Sequence, residues 1–322
     1  MRWLRLRAAD SSGMALLITL LIMVILAVLV HQFTFATRVH LTAAANLRDQ
    51  LQAECLARTG VEVALSLLEQ DEDLDVDYAG EPWASFTGSE DLPLLEIPEG
   101  AFNVNMQDES AKVNINLLVN PDDTENQFIY DQVVRLLDIF QVTPDRMDAL
   151  LDWLDSNDDR RVEGAENADY QALERPYPCR NGPLRTLGEL QLVMGWEDIW
   201  AIRLEDGAAL VDCLTVGATG GLININTASP VVLMSLDDEI DEFIAENIVA
   251  LREETPLESD ESFRLVSGVT DTLFENVRDH IQVSTSLVSI HSQGVFRRAT
   301  YSIHALVSKS EGEMMPIQWR MD

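Results

Sequence analysis

The stretch DSNDDRRVEGAE, residues 155–166, carries the residue types and spacing of a cation loop. On the EF-hand template, Asp155, Asn157 and Asp159 fall at positions one, three and five. Arg161 offers its carbonyl at seven, Val162 supplies the apolar eighth, and Glu166 lands at twelve. Oxygen donors at alternating positions of a turning loop converge on one Ca2+ at about 2.3–2.6 Å, and a bidentate glutamate closes the sphere. Arg160 stands where the template has glycine, so the loop either leaves the standard path or strains Arg160. Two readings remain at this point: a calcium loop, or a solvated acidic loop. Glu163 and Asp169 are candidates for a second ion.

Other chemistry is sparse. The chain contains no G-x-S-x-G, H-E-x-x-H, P-loop or G-x-G-x-x-G motif, and its five histidines (His31, His40, His280, His291, His304) are scattered. An enzyme is not expected. Three cysteines match no zinc spacing. With a body outside the cytoplasm, Cys179 and Cys213 are available to pair, leaving Cys55 odd. Net charge is −33, from 55 acids against 22 bases, and only Lys112 and Lys309 are lysines. Such a field repels nucleic acid and favours cations or basic partners.

The elements that must position these residues begin with a long helix. After the basic leader (Arg2, Arg5, Arg7) and Gly13, residues 14–30 run for seventeen residues without charge, with Thr19 as the one hydroxyl. No A-x-A-like cleavage site follows. Helical spacing of Leu47, Leu51, Cys55, Leu56, Val63 and Leu67 continues without proline, predicting one helix over 14–69. Its first half is lipid-compatible and its second half amphipathic. The arginines put the N-terminus in the cytoplasm and the body outside. Residues 70–99 read as an acidic connector. GAFNVNMQDESAKVNINLL alternates as a hairpin, and residues 285–321 give three more strands. Between them, DQVVRLLDIFQV, TPDRMDALLDWLDS (Thr143 as N-cap, Pro144 at N1) and RTLGELQLVMGW read as helices. The fold class is α+β, a large mainly helical insert lying between the strands of a small antiparallel sheet.

Gly13 between a basic leader and a retained hydrophobic helix resembles the type IV prepilin signal. The resemblance implies a membrane peptidase cutting between Gly13 and Met14 and methylating Met14. Most of that family carries glutamate at the fifth mature position, which here is Ile18. Ile18, the chain's size, DWLD, GAEN, NGPL, GELQLVMGW and NINTAS together resemble minor pseudopilin K of type II secretion. That resemblance implies a leader (1–13), an assembly helix (14–69), a pseudopilin sheet (70–117 and 281–322) and a helical insert (118–280). It also implies calcium in the insert, where the loop template supplies Asp155, Asn157, Asp159, Arg161 and Glu166 as the ligand set. Other minor pseudopilins, through helix 14–69, and the prepilin peptidase are implied partners at the inner membrane. Secreted cargo or the outer-membrane channel would be met in the periplasm. The alternative is a single-pass anchored periplasmic adaptor that is never processed.

Residues 221–254 also resemble a helix-hairpin-helix DNA-binding unit, with Thr227 and Ser229 as capping candidates, which raises a DNA-uptake component as a weaker alternative. The turn argues against it. DDEIDE holds five carboxylates and no glycine, so it repels phosphate. A docking remnant of that fold is expected, with no nucleic-acid partner. The NIN at 114–116 echoes the one at 224–226 without establishing a repeat.

Overall fold

The computed structural model describes residues 11–71, 73, 75–86, 95–205, 207–217, 219–310 and 313–321. Leader residues 1–10 lie outside the described residues. Gly13 and Met14 lie within α1 (Ser11–Glu69), whose 59 residues extend roughly 90 Å at about 1.5 Å each. Thr19, Thr34, Thr37, Thr42 and Thr59 each turn the hydroxyl onto a carbonyl three or four residues back, at 2.7–2.9 Å. The helix thus satisfies these polar groups internally, as a lipid environment demands. Side chains of residues 14–44 are exposed. From Ala53 onward one face is buried through Ala53, Leu56, Ala57, Val61, Ala64 and Leu68, the three-to-four spacing of an amphipathic helix.

The chain continues through β1 (Leu95–Ile97) and β2 (Gly100–Asp108) and then leaves the sheet. The excursion comprises β3 (Val113–Asn114), α2 (Gln127–Ile139), α3 (Arg146–Leu154), α4 (Asn167–Gln171), β4 (Leu214–Thr215), β5 (Ile223–Asn224), α5 (Pro230–Met234), α6 (Glu242–Glu254), α7 (Asp271–Val277) and β6 (Ile281–Gln282). It returns as β7 (Leu287–Phe296), β8 (Ala299–Ser310) and β9 (Glu313–Met321). The sheet is antiparallel in the order β1-β2-β7-β8-β9. Asp108 pairs with Val288, so the excursion departs and re-enters on neighbouring strands. An entire second core is therefore inserted where a hairpin loop would be. One core joins α1 to the sheet through Leu56, Val61, Trp83, Val104, Met106 and Ile303. The other lies within the insert around Leu136, Trp153, Tyr170, Trp196 and Phe263.

Glycine lets α1 meet the sheet backbone to backbone. A Cβ on Gly294 would stand 2.1 Å from the Ala53 carbonyl oxygen and 2.5 Å from the Ala57 nitrogen. Strand alternation then puts Gly294, Ser292 and Ile290 against the helix and His291 and Ser289 on the opposite face.

Three local expectations are corrected. Residues 100–117 form no hairpin: β2 pairs with β7, and β3 pairs in parallel with β4. The buried Asp108 side chain accepts the Ser110 N–H and starts a 3-10 turn that diverts the chain into the insert. Thr143 and Pro144 do not begin α3, whose N-cap is Asp145. RTLGELQLVMGW holds only a 3-10 helix, Leu187–Leu192, ended by Gly195 at φ +83°.

The two NIN sequences prove to be a structural repeat. Asn114 Oδ1 accepts from Asn116 N at 3.1 Å, and Asn224 Oδ1 accepts from Asn226 N at 3.0 Å. Asn116 exchanges two hydrogen bonds with the Leu184 backbone, at 2.9 and 2.7 Å, and Asn226 does so with Leu257, both at 2.9 Å. Each leucine leads to a 3-10 helix, then a valine, then a left-handed glycine, Gly195 or Gly268. Each short NIN strand, β3 or β5, pairs in parallel with a later one, β4 or β6. The copies differ after their second helix. Residues 255–256 bridge α6 to Leu257, whereas residues 155–183 bridge α3 to Leu184. The acidic loop lies in that added segment.

Candidate functional site

The last turn of α3 aims two carboxylates inward, Asp152 and Asp155, both 0% exposed. Their three-residue spacing puts them on one helix face. The Arg161 guanidinium lies between them, Nη1 donating at 2.6 Å to Asp152 Oδ1 and to Asp155 Oδ2. Glu166, 4% exposed, stands at the N-cap of α4 in a capping box with Asp169, and neither of its buried side-chain oxygens has a well-formed hydrogen bond among the described residues. Asp155 Oδ1 and Asn181 Oδ1 are likewise unsatisfied. Burial, with the fields of Asp152, Asp155 and Asp158, pushes the Glu166 carboxyl up to about 7. Burial also raises Asp152 despite Arg161. Buried oxygens with no donor are costly unless a proton or cation satisfies them. Gly164 lets the loop close over them, since a Cβ there would stand 1.9 Å from Asp152 Oδ2.

The loop thus brings Asp155 and Glu166 into one acidic centre and leaves the other template positions aside. Asn157 Oδ1 accepts from Asp159 N at 2.7 Å in a local turn, and the Asp159 side chain is exposed. Arg161 enters with its guanidinium, while its carbonyl accepts from Gly164 N at 3.2 Å. The loop departs from the EF-hand path at the position where Arg160 replaces glycine. Arg160 instead donates to the Gly164 carbonyl at 2.7 Å and pairs with Asp169 at 3.5 Å. Glu163 is exposed, its N–H donating to Asp148. Template matching missed Asp152 and Asn181. The first was visible as the leading aspartate of DWLD, one turn before Asp155; the second comes from beyond the loop.

A second group, Asp71, Asp77 and Glu81, brings carboxylate oxygens within 4.8 Å of one another. Here the protein supplies its own cation, as Lys309 Nζ lies 2.5 Å from Asp71 Oδ2 and 2.5 Å from Asp77 Oδ1.

The expected Cys179–Cys213 disulfide is not formed, and both are free, buried thiols. Cys179 Sγ faces the Asp152 carbonyl at 3.9 Å, and Cys213 Sγ faces that of Ala209 at 3.7 Å. Cys179 is thus held against α3 and Cys213 by its own 3-10 turn, and burial pushes them up to about 11 and about 12.

The hairpin turn 235–241 between α5 and α6 is held against protein at its start, while Asp238, Glu239 and Asp241 stay exposed. Arg135 on α2 donates to the Ser235 and Leu236 carbonyls at 3.3 and 3.2 Å and pairs with Asp238 at 2.6 Å. The turn that a DNA-binding hairpin would offer to phosphate therefore docks one copy of the repeat onto the other. Ser229 caps α5 through Val232 N, whereas Thr227 donates to Asp108 at 2.6 Å.

A long helix, half exposed and half packed on an antiparallel sheet, defines a pilin-like subunit. Among the described residues α1 is the one helix long and apolar enough to cross a membrane. The family models for type II secretion system protein K match residues 111–206 and 223–284, one segment per copy of the repeat. Type II secretion system protein K of Klebsiella pneumoniae is 26% identical over 225 residues, covering 68% of this chain and 67% of that protein. The Aeromonas hydrophila counterpart is 28% identical over 240 residues, covering 68% of each. The crystal structure of the GspK-GspI-GspJ complex from enterotoxigenic Escherichia coli contains a chain of like fold. Its TM-score is 0.63 at 19% identity, covering 89% of this chain and 99% of that one. The chain belongs to the type II secretion system protein K family, the minor pseudopilins of that system.

Proposed function

We propose that this minor pseudopilin occupies the tip of the pseudopilus, where it starts or caps the filament and cannot extend it. The observation that carries this reading is the asymmetry of α1. Residues 14–44 present an apolar surface with no partner in their own fold, among them Ile18 where a carboxylate would reach the subunit above. A buried carboxylate in lipid needs a partner charge, and Ile18 neither needs nor offers one. The insert, larger than the sheet that carries it, leaves little room for a further subunit. α1 lies in the inner membrane with its N-terminus cytoplasmic, is cut between Gly13 and Met14 by the prepilin peptidase, and packs against equivalent helices of other minor pseudopilins. The relative's complex with GspI and GspJ supports that choice of partners. The body meets secreted cargo or the outer-membrane channel in the periplasm. Intact mass and N-terminal sequencing after co-expression with the matching peptidase test this. The expected product begins at N-methylated Met14. A chain still starting at Met1, beside a processed control prepilin, makes the protein an unprocessed anchored adaptor.

The acidic centre at 152–166 is proposed to hold one structural Ca2+. All its available donors are oxygens, the chemistry of a hard divalent cation, and Asp155, Glu166 and Asn181 each leave a buried side-chain oxygen unsatisfied. Asp155 and Glu166 would hold the ion, with Asp152 and Asn181 beside them. When bound, the ion supplies positive charge that lets the buried carboxylates stay ionised. Calorimetric titration of the full chain with Ca2+ should show one site, lost in Glu166→Gln. Unchanged binding in that variant removes this assignment.

A further inference from the structure

The chain's two lysines, Lys112 and Lys309, are both enclosed among polar partners, with side chains only 14% and 5% exposed. Lys309, near the end of β8, places Nζ 2.5 Å from Asp77 Oδ1 and 2.5 Å from Asp71 Oδ2, both on the segment that follows α1. The Asp77 side chain is 1% exposed, and its other oxygen, Oδ2, accepts the Thr285 N–H at 2.7 Å. The Asp77 N–H in turn donates to the Val283 carbonyl at 2.9 Å, so the residue is fixed at both ends. Glu81 is buried beside the pair. Its carboxylate lies within 4.8 Å of those of Asp71 and Asp77, and the Trp83 indole N–H holds it in place.

A nitrogen at hydrogen-bond distance from a carboxyl oxygen lies about 3–3.5 Å from the carboxyl carbon, the separation of a near-attack arrangement. An amine, a carboxyl carbon, a backbone N–H on the oxygen that would gain charge and a second carboxyl to move protons are thus assembled out of water. Burial raises Asp77 despite Lys309 and the Thr285 N–H. Burial, with the fields of Asp77 and Asp71, also pushes Glu81 up to about 7, against the pull of Trp83, so near neutrality it serves as acid or base. Burial works against the Lys309 ammonium too, but Asp71 and Asp77 outweigh it and hold Lys309 above its ordinary range. The neutral amine is therefore a minor state, which suffices for a bond made once per molecule. Lys112 supplies the contrast. There the ammonium outweighs burial, Glu109 lies below the usual carboxylate range, and the two remain an ion pair at 2.8 Å.

We propose that Lys309 and Asp77 condense into an intramolecular isopeptide bond, with Glu81 moving the protons and Asp71 positioning the amine. A proton first passes from Lys309 Nζ to Asp77, giving a neutral amine and a carboxylic acid. The Nζ lone pair then forms the bond to Cγ, and the C=O electrons move onto Oδ2, where the Thr285 N–H receives them. Glu81 protonates Oδ1, the Cγ–Oδ1 bond breaks, and water leaves with its electron pair. Glu81 finally takes the surplus proton from Nζ and is restored. The product is an amide and one water, with no oxidant or co-reactant, and two buried charges are removed. The bond would tie the segment after α1 to β8, so that load along the helix reaches the sheet through a covalent link. The proposal goes beyond the tip reading and stands whether or not the chain is processed or carries calcium.

The test is the intact mass of the full chain recovered from membranes, followed by tandem mass spectrometry of its tryptic peptides. The expected mass is about 18 Da, one water, below that of the chain's own sequence from whichever residue it starts. Trypsin should release residues 59–112 joined to residues 299–320, uncut after Lys309 and branched at Asp77. Reductive methylation of the denatured chain should label Lys112 and spare Lys309. Lys309→Arg and Asp77→Ala should each show the full mass of their sequences, and so should Glu81→Gln with an unchanged circular dichroism spectrum. The wild-type mass and branch point decide the bond itself even where a variant fails to fold. A wild type at full mass, a water loss without the branched peptide, a branch at Asp71, or an undiminished bond in Glu81→Gln overturns the proposal.

Discussion

Asp108 is the residue on which sheet and insert turn. Its Oδ2 accepts from Asn224 at 3.0 Å, Thr227 at 2.6 Å and Thr285 at 2.7 Å, and its Oδ1 from Ser110 N at 2.7 Å. Burial nevertheless pushes its carboxyl up to about 6, against the pull of those four hydrogen bonds. A carboxyl whose folded pKa is raised binds its proton more tightly folded than unfolded, so stability falls as pH rises through the window between about 4 and about 6. The shift corresponds to about 3 kcal/mol of stability present at the acid end and lost by neutrality. Asp108→Asn cannot titrate, and its urea midpoint should lack that part of the slope between pH 4 and 6. Parallel pH profiles for the two proteins would remove Asp108 as the source. The thiols give a second prediction at this scale. Cys55 is exposed while Cys179 and Cys213 are buried with raised pKa values. Iodoacetamide at neutral pH should therefore add one adduct to the native protein and three after denaturation, read by intact mass.

At the scale of elements, the contact between α1 and β7 depends on the absence of a side chain. Gly294→Val would drive a branched side chain into the backbone of residues 53–57. A loss of about 3 kcal/mol or more is expected, because the obstacle is backbone that cannot rotate away. Gly220, with nothing within 4 Å of a Cβ, supplies the control, and Gly220→Ala should be near neutral. Urea unfolding of the two variants decides it, equal midpoints being the contrary result. The first copy of the repeat carries the same asparagine clamp as the second, closed across residues 155–183 rather than across residues 255–256. An added loop of that length pays a closure entropy, which the Arg161 pairs to Asp152 and Asp155 offset by tying the loop back to the end of α3.

Among the described residues two cores are joined at Asp108, Thr285 and the Lys309–Asp77 pair. The acidic centre belongs to one of them. Calcium at about a hundredfold above its dissociation constant should stabilise the insert by about 2.7 kcal/mol, while the α1–sheet unit responds only through the junction. Chelation is then expected to lower the melting midpoint reported by insert tryptophans such as Trp153 and Trp196, and Asp155→Asn to abolish the calcium response. An identical midpoint in calcium and in chelator would take the ion out of the fold. The charge of −33 is consistent with this division, since acids gather on the insert and connector.

The long helix, the three C-terminal strands and the α+β architecture were legible in the sequence because each rests on local periodicity. The carboxylate-rich turn at 237–242 likewise argued against phosphate from composition alone. Asp155 and Glu166 were reachable because template spacing is also local. What the tertiary structure decided depends on partners far along the chain. β2 pairs with β7 rather than with the next alternating run. The NIN segments pair in parallel with strands about 60 to 100 residues later. Asn181 reaches the acidic loop from a separate turn, and Cys179 and Cys213 stay apart on separate supports. Lys309 meets Asp71 and Asp77 only because the end of β8 returns beside the segment that follows α1. Periodicity records which face of an element is apolar. Which other element covers that face is set by packing between distant segments, and no local spacing encodes it.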